Sequence, residues 1–432
     1  MKLKSILWGG DKPGRAVTLG IQHVFAMFGS TVLVPTLTGL DPAVTLLCMG
    51  LGTLIFHLFT DFKVPAFMGS SFAFITAICA VRDYCEKNAV EGNFASYVGI
   101  GILSSGVLYM ILAGLVKLFG AKRITSFFPP IVTGCMIIII GMMLAPTAMS
   151  SVTTAVAGIP VWKNWVVAVF TILVILAVMF FVRGFFKLIP ILIGIVAGYL
   201  LSFALGMVET APVVEAAWFR LPEISLPTFA DMDAVIYAIT MIAPISVVTF
   251  VEHVGDITAN GAVTGHNYIE DPGLHRTLFG CGLASVFSGA MGGPAATTYS
   301  ENTGVLAATR NYNPATLRIA AVFAIVLSLF GKVSGVLATI PGPVMGGVSI
   351  ILFGMIASVG LRMLIENNVD FTKSYNTIIA AVMLVIGLGL NGGLSFGNFE
   401  ISSTAIAAVL GVILAKVLPK EDADERAANK AK

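Results

Sequence analysis

Charge is scarce in this sequence. Asp, Glu, Lys and Arg together make up 11% of the 432 residues, whereas an average soluble domain has about 25%. Hydrophobic residues make up 57%, and the mean hydropathy is +0.94. This balance excludes an ordinary soluble globular protein and indicates a polytopic protein surrounded by membrane lipid. The net charge of +2, with basic residues spread along the chain, also argues against a nucleic-acid partner.

Cysteine is scarce as well. Four of the five cysteines fall in apolar stretches and one in a loop: Cys48, Cys79, Cys135, Cys281 and Cys85. Their spacing provides neither a disulfide framework nor a paired metal-ligand motif. The loops also contain no nucleophile–base constellation. The sequence therefore predicts neither an enzyme nor a bound metal or cofactor.

Apolar stretches are what the sequence has in abundance. About 20 apolar residues cross a bilayer as a helix, and on that scale the sequence predicts fourteen transmembrane segments. The first seven are 16–35, 42–60, 66–82, 97–118, 126–147, 164–182 and 188–208. The second seven are 235–256, 276–293, 296–309, 315–339, 343–364, 375–391 and 401–418. Merging the shorter segments would give twelve.

The distribution of positive charge supports an even number of segments. With both termini in the cytoplasm, the inner loops and tails hold 20 of the 25 Lys and Arg residues. The outer side keeps five: Arg82, Lys87, Lys163, Arg220 and Lys332. Because cytoplasmic loops carry an excess of Lys and Arg, we expect this orientation in the inner (plasma) membrane.

The second seven segments contain echoes of the first seven. Segment 5 carries PIVTGCMIIIIG (130–141) and segment 12 carries PVMGGVSIILFG (343–354), with Pro, Gly and Gly in register. Segments 1 and 8 share a weaker pair, Gln22-His23-Val24 and Glu252-His253-Val254. Each pairing is offset by seven segments, so the second copy enters the membrane from the opposite side. This pattern predicts a 7+7 inverted repeat, as in secondary transporters.

Segments 3 and 10 are expected to be broken. In segment 10, Gly292-Gly293-Pro294 and Thr297-Thr298-Tyr299 disfavour helix, because Gly costs backbone entropy, Pro removes a donor and β-branched residues prefer extended backbone. A helix can resume at Gly304, and segment 3 has a similar interrupted stretch at 64–72. Irregular backbone at membrane depth needs protein or a water-filled cavity beside it, so we expect a substrate site here. A polar loop followed by a short helix is the alternative.

Three carboxylates lie in or near the apolar segments. Glu252 and Asp256 are four residues apart in segment 8, so they share one face of a helix, and Glu301 follows the irregular stretch of segment 10. A charge at the bilayer centre costs about 2.5–3.5 kcal/mol on insertion scales, and neighbouring carboxylates raise one another's proton affinity. These groups are therefore candidates for carrying a proton. The alternative for Asp256 is that segment 8 ends there, at the cytoplasmic surface.

Two histidines and one phenylalanine allow a structural and a functional interpretation. A lone buried His is usually a structural hydrogen-bonding group, and we favour that role for His23 and His253. Phe72 could stack on a flat ligand, although packing is the more common role in a chain with 29 Phe. Only its place in broken segment 3 favours binding.

The motifs of the chain resemble those of the nucleobase–ascorbate transporter family, also called nucleobase/cation symporter-2, and most of all its bacterial uracil permease branch. The matching stretches are GIQHVFAMFGSTVLVP (20–35), VPAFMGSSFAF (64–74), FVEHVG (250–255), DPGLHR (271–276), TTYSENTG (297–304) and PVMGGVS (343–349). The family signature is Gln or Glu, then Asn, any residue and Gly, with Thr five places on. It corresponds to Glu301-Asn302-Thr303-Gly304 and Thr309.

The resemblance implies a core domain, a gate domain and a homodimer. The core would comprise segments 1–4 and 8–11, in residues 1–122 and 235–341. The gate would comprise segments 5–7 and 12–14, in residues 123–234 and 342–418. Residues 419–432 would be a cytoplasmic tail. Segments 3 and 10 would each contribute one of two short antiparallel strands to an otherwise all-α membrane protein.

The family's site residues carry over to segments 1, 3, 8, 10 and 12. Those expected to contact the substrate are Glu252, Glu301, Phe72, Ser300, Tyr299 and Ser30. The carboxylates would accept hydrogen bonds from a nucleobase, and the backbone amides of residues 72 and 300 would donate them. The residues expected to bind the coupled proton are Asp256, Glu252 and Glu301. The supporting residues would be His23, Asn302 and Phe353.

Four positions depart from the family's pattern. Asp256 stands where the best-known uracil carrier has His and where purine carriers tend to have Asp. Ser300 replaces a Gly, Phe353 replaces a Tyr and Ala296 replaces an Asn. The preferred base and the proton relay therefore stay open on the sequence alone.

The function predicted from the residues and the resemblance is a proton-coupled uracil importer working by alternating access. Uracil has two N–H donors flanked by carbonyl acceptors, which suits two carboxylates and backbone N–H groups, whereas Gln at 301 would suit purines better. Because of Asp256, a xanthine or urate permease is the alternative in the same class. A channel or anion exchanger of the same fold is a third possibility, although a cluster of acids disfavours anions.

Overall fold

The computed structural model describes residues 13–154, 159–390, 393–396 and 399–419. The elements of the first seven segments are α1 (Pro13–Thr38), α2 (Pro42–Phe59), β1 (Met68–Ser70), α3 (Ile75–Lys87), α4 (Phe94–Phe119), α5 (Ala121–Thr125), α6 (Pro130–Met143), α7 (Ala145–Thr153), α8 (Val161–Phe181) and α9 (Pro190–Ala204). Short 3₁₀ turns cover Phe72–Phe74 and Gly184–Leu188.

The second half begins after a long connection that contains α10 (Ala211–Glu215). Its elements are α11 (Met232–Ile242), α12 (Ile245–Thr264), α13 (Leu274–Ala290), β2 (Ala296–Thr298), α14 (Ser300–Thr309), α15 (Pro314–Ser328), α16 (Gly331–Ala338), α17 (Gly342–Glu366), α18 (Ser374–Gly389), β3 (Gly393–Phe396), β4 (Phe399–Ser402) and α19 (Ser403–Val417). Of the polar tail expected at 419–432, only residue 419 lies within the described ranges.

Helix length separates the segments into two groups. In the described part of the chain, seven stretches are long and apolar enough to cross a membrane: Pro13–Thr38, Pro42–Phe59, Phe94–Phe119, Pro130–Thr153, Val161–Phe181, Met232–Thr264 and Gly342–Glu366. These are segments 1, 2, 4, 5, 6, 8 and 12. Shorter apolar helices occupy segments 7, 11, 13 and 14. Segments 3 and 10 each combine a three-residue strand with a half-helix.

The packing of the helices follows the inverted repeat. α4 of segment 4 packs along α13 of segment 9, and α15 of segment 11 packs along α2 of segment 2. Moving each segment by seven positions exchanges these two pairs. α6 and α17, from segments 5 and 12, pack on each other, as copies related by a two-fold axis can. The predicted all-α architecture of fourteen segments in a 7+7 inverted repeat is confirmed.

Glycines allow these helices to approach closely. A Cβ atom at Gly106 of α4 would lie 2.6 Å from the carbonyl oxygen of Gly282 in α13, and one at Gly289 would lie 2.6 Å from that of Gly99. Within lipid, helices associate through such close contacts because their association gains no hydrophobic driving force. The α4–α13 pair is therefore tightly packed, and α3 of segment 3 and β2 of segment 10 lie against it.

The two broken segments pair with each other. β1 and β2 are antiparallel, with Met68 opposite Thr298 and Ser70 opposite Ala296. The pairing extends beyond the strands, since the Ser71 N–H donates to the Ala295 carbonyl at 2.9 Å. Each strand thereby satisfies backbone groups that lipid could not satisfy. The expected pair of short strands in segments 3 and 10 is confirmed.

Two helix boundaries differ from expectation. α14 begins at Ser300, not at Gly304, because the ladder ends at Thr298 and an acidic side chain such as Glu301 is favourable in a first helical turn. α12 continues to Thr264 and ends at Gly265, whose φ of 75° is the left-handed value common at helix ends. The alternative in which segment 8 ends at Asp256 is therefore wrong.

A hairpin between segments 13 and 14 was not predicted. β3 and β4 pair antiparallel, with Leu394 opposite Ile401, so the first residues expected in segment 14 are strand. Residues 393–400 fall between the segments predicted at 375–391 and 401–418, and only the last two residues of β4 overlap a predicted segment. Polar and glycine residues between the two apolar runs are the signal that sequence reasoning passed over.

The α4–α13 contact makes a stability prediction with a control on the same helix. Gly106→Ala should destabilise the fold by about 1–3 kcal/mol, because the added methyl overpacks against the backbone of α13. Gly114→Ala should be neutral or stabilising by up to about 1 kcal/mol, because nothing lies within 4 Å of its Cβ position and Ala is the better helix former. Thermal unfolding of the purified variants in one detergent measures both. Equal melting temperatures for the two variants would contradict this packing.

Candidate substrate-binding site

The site is built around the starts of two half-helices. After β1 the chain enters the 3₁₀ turn at Phe72 and then α3, and after β2 it passes Tyr299 into α14. Neither Ser71 nor Tyr299, the residues at the N-cap positions, makes a side-chain capping hydrogen bond. The first N–H groups of a helix have no intrahelical partner and carry partial positive charge. Backbone donors at both starts are thus available to a polar ligand.

Glu301 lies in the first turn of α14 and is held from the opposite side by α1. The Ser30 hydroxyl donates to Glu301 Oε1 at 2.6 Å. Ser30 is fully buried, whereas Glu301 is half-buried. A carboxylate has about four lone-pair sites, so Glu301 keeps acceptor capacity for a ligand while Ser30 fixes its orientation.

Asp256 is held by segment 10. Thr298 at the end of β2 donates to Asp256 Oδ2 at 2.8 Å, and Ser300 at the start of α14 donates to Oδ1 at 2.8 Å. Both contacts are hydrogen bonds to a carboxylate, the stronger class. Asp256 and Ser300, two positions expected to depart from the family's pattern, therefore contact each other. Thr298 was missed by the sequence prediction, although it stands in the TTYSEN motif.

Glu252 lies one turn before Asp256 on α12, as the spacing predicted. Both side chains are half-buried, and Asp256 accepts a hydrogen bond from Ser300, the residue directly before Glu301. α12 and α14 are packed together. The structure thus brings the three predicted carboxylates to one place, next to the helix starts.

Aromatic side chains form another wall of the site. The rings of Phe72 and Tyr299 are nearly parallel, with centroids 6.3 Å apart and an interplanar angle of 21°. Phe353 of α17 meets Phe72 edge-on at 6.3 Å. The Tyr299 hydroxyl donates to the Ser70 carbonyl at 2.9 Å, which fixes its ring over β1. A Cβ atom at Gly69 would lie 2.1 Å from that ring, so only Gly fits there.

His23 and His253 differ although they occupy equivalent positions in the repeat. Asn302 Nδ2 donates to His23 Nδ1 and to the His23 carbonyl, both at 3.1 Å, so His23 makes the structural bond we expected. His253 is also buried, yet neither of its ring nitrogens has a partner in the described part of the chain. Its neighbour Tyr109 meets it ring edge to ring face, with centroids 6.2 Å apart. The expected hydrogen bond of His253 is therefore absent among the described residues.

The surroundings of the site differ between the two ends of the molecule. Near the C-terminal end of α1 and the N-terminal end of α17, Val32 and Leu33 pack with Val344 and Val348 in one buried apolar cluster. This cluster also contains Phe353 and borders Phe72, whereas Ser300 and Gly304 on α14 are exposed. The site is therefore covered by the apolar cluster on one side and accessible along α14.

Comparison with known proteins identifies the family. The model of a family described as "Permease family" matches residues 14–395. The chain is 43% identical over 420 residues to a uracil permease of Bacillus caldolyticus, covering 96% of this chain and 95% of that protein. It is 41% identical over 412 residues to the uracil permease of Bacillus subtilis strain 168, covering 94% and 92%. With the uracil permease of Escherichia coli K12 it is 38% identical over 405 residues, covering 93% and 91%.

Solved structures with low sequence identity share the fold. The transmembrane domain of the cyanobacterial bicarbonate transporter BicA has a TM-score of 0.62 at 17% identity and covers 93% of this chain and 96% of that chain. The murine anion transporter Slc26a9 in its inward-facing state has a TM-score of 0.66 at 14% identity and covers 94% and 68%. From the family match and the full-length relatives, the chain belongs to the permease family that its motifs indicate, the nucleobase–ascorbate transporters.

Proposed function

We propose that this chain is a uracil permease that imports uracil together with protons by alternating access. The observation that carries the proposal is the position of Glu301. It stands in the first turn of a half-helix without a side-chain cap, is held by Ser30, and directly follows Ser300, whose hydroxyl donates to Asp256. Relatives named uracil permease match the chain over nearly its full length, which supports the same substrate here.

The chemistry of uracil suits this arrangement. Each uracil N–H lies next to a carbonyl oxygen, so one edge of the ring offers a donor beside an acceptor. Glu252 and Glu301 would accept from the N–H groups, and the backbone amides of Phe72 and Ser300 would donate to the carbonyl oxygens. The rings of Phe72 and Tyr299 would lie against the faces of the base. A dry site with matched donors and acceptors discriminates strongly, because a wrong base leaves buried polar groups unpaired.

Asp256 is the group to which we assign the proton. As a carboxylate it accepts from Thr298 and Ser300 and ties α12 to segment 10. Once protonated, it needs an acceptor of its own, so the pattern of hydrogen bonds at the start of α14 must change. Proton binding and the geometry of the substrate site are thereby linked. Neutralising a buried charge also lowers the cost of moving the loaded site through a closed barrier.

Alternating access needs two bodies that move against each other. We assign residues 1–122 and 235–341 to a core that carries the site, and residues 123–234 and 342–418 to a gate. The packed cluster of Val32 and Val344, which we place on the outer side, and the exposed Ser300 support assigning this conformation to the inward-facing half of the cycle. We further propose a homodimer in the inner membrane with both termini in the cytoplasm.

A xanthine or urate permease is the second candidate, because Asp256 departs from the best-known uracil carrier and is engaged by Ser300, another departure. The structural neighbours are titled bicarbonate and anion transporters, but they share only the fold. Three carboxylates at the site disfavour an anion exchanger. A passive channel would show no dependence on a proton gradient.

Competition for uptake separates the two nucleobase candidates. Cells or proteoliposomes containing the protein should take up labelled uracil, and excess unlabelled uracil should abolish that uptake while xanthine and urate leave it nearly unchanged. Vesicles without the protein provide the background. Strong inhibition by xanthine with none by pyrimidines would reject uracil as the substrate.

Glu301→Gln should weaken uracil binding by about 5-fold to 150-fold while weakening any purine less. The amide offers a donor on one side where the carboxylate only accepts, and a mispaired buried polar group costs about 1–3 kcal/mol. Ser30→Ala is the matched comparison, since it keeps the carboxylate and removes its 2.6 Å anchor, so its loss should be smaller. Binding of uracil to the purified variants by calorimetry measures both. Unchanged uracil affinity in Glu301→Gln would show that this carboxylate does not contact the base.

Asp256→Asn should retain uracil binding and lose accumulation against a gradient. The amide imitates a permanently protonated side chain, so the carrier can still exchange internal for external uracil while its uptake no longer responds to an imposed pH gradient. Glu252→Gln is the contrasting variant, because it should lose binding itself. Uptake and counterflow measured in proteoliposomes at several pH values separate these effects. Wild-type accumulation with wild-type pH dependence in Asp256→Asn would place the proton on Glu252 or Glu301.

A further inference from the structure

One long part of the chain has positive charge and no negative charge. From residue 92 to residue 208 the sequence contains no Asp or Glu, although it contains six Lys and Arg residues. Five of these lie on the side assigned to the cytoplasm: Lys117, Lys122, Arg123, Arg183 and Lys187. The inner ends of segments 4 to 7 therefore present positive charge that no nearby carboxylate in sequence can neutralise.

The connection from segment 4 to segment 5 concentrates this charge on an amphipathic turn. Ala121 and Ile124 of α5 pack against the buried cluster that also contains Phe250. Lys122 and Arg123 point away from that cluster and are exposed. None of the ion pairs formed by the described residues involves either side chain.

Exposed apolar side chains border these cations. Leu118 and Phe119 at the end of α4 are 78% and 52% exposed, and Phe127 after α5 is 43% exposed. Lys416 of α19 places its Nζ atom 4.3 Å from the centre of the Phe127 ring. We define the linker patch by its members: Lys117, Leu118, Phe119, Lys122, Arg123, Phe127 and Lys416.

We propose that the linker patch binds the headgroup of an anionic phospholipid. The patch lies at the inner ends of α4 and α19, where a bilayer has its headgroup layer. Cations at that level attract anionic lipids, and the exposed Leu118 and Phe119 match the acyl chains just beneath. A soluble anion would use only the cations of the patch. A phospholipid satisfies both parts of the surface at once.

The position of the patch gives the lipid a part in transport, and this step rests on the proposed division into core and gate. The chain passes between the two bodies three times. By the topology, the connections after segments 7 and 11 lie on the outer side, so the α5 connection is the inner one. The lipid headgroup would bridge Lys122, in the inner connection between core and gate, and Lys416 of segment 14.

Binding is tested on the whole purified protein without uracil, so the result does not depend on the substrate assignment. The wild type in nanodiscs of phosphatidylcholine should gain thermal stability as phosphatidylglycerol is added, and native mass spectrometry should detect retained phosphatidylglycerol. In Lys122→Gln/Arg123→Gln, the fraction of phosphatidylglycerol needed for half of the gain should rise at least tenfold, since each interfacial cation contributes about fivefold.

The control variant removes two charges elsewhere. Lys87→Gln/Lys373→Gln lowers the net charge equally, with one position on each side of the membrane, and should behave as the wild type. Soluble glycerol phosphate at millimolar concentration should give no stabilisation. The proposal is overturned if Lys122→Gln/Arg123→Gln responds to phosphatidylglycerol as the wild type does, or if glycerol phosphate reproduces the effect of the lipid.

Discussion

The requirement that every backbone polar group at membrane depth has a partner governs this structure. Segments 3 and 10 are not helical through their first halves, and each can exist only because the other supplies its missing hydrogen bonds, as β1 and β2 do. The close α4–α13 contact packs glycine against backbone beside this pair. The backbone groups freed by the two helix breaks are thus satisfied within the strand pair. The two half-helices of segments 3 and 10 begin directly after these strands.

Those helix starts explain why acids accumulate at one place. A helix start offers N–H donors and partial positive charge, which favours a carboxylate such as Glu301 in the first turn. Ser30 and the hydroxyls around Asp256 orient the carboxylates without neutralising them. Asp256 and Ser300, two positions expected to depart from the family's pattern, are in contact. The Ser300 hydroxyl, at the first residue of α14, donates to Asp256, so the two positions form one hydrogen-bonded unit.

Sequence reasoning predicted what depends on local chemistry. The fourteen segments follow from apolar length, the inverted repeat from Pro130 and Pro343 with their glycines, and the two strands from Gly, Pro and β-branched residues. It missed what depends on neighbours in space. The start of α14 at Ser300 reflects where the β ladder ends. That His253 has no hydrogen-bond partner among the described residues reflects its neighbour on segment 4, the ring of Tyr109. Thr298 reaches Asp256 only after folding.

Our central claim is that uracil and protons bind at the same site and cross the membrane together. The most direct measurement uses proteoliposomes without any imposed pH gradient or membrane potential, with a pH-sensitive dye inside and external uracil added. The account predicts that uracil entering down its own gradient acidifies the interior, and that xanthine does not. Uracil entry at the same rate with no change in internal pH would contradict proton coupling and leave a uniporter on this fold.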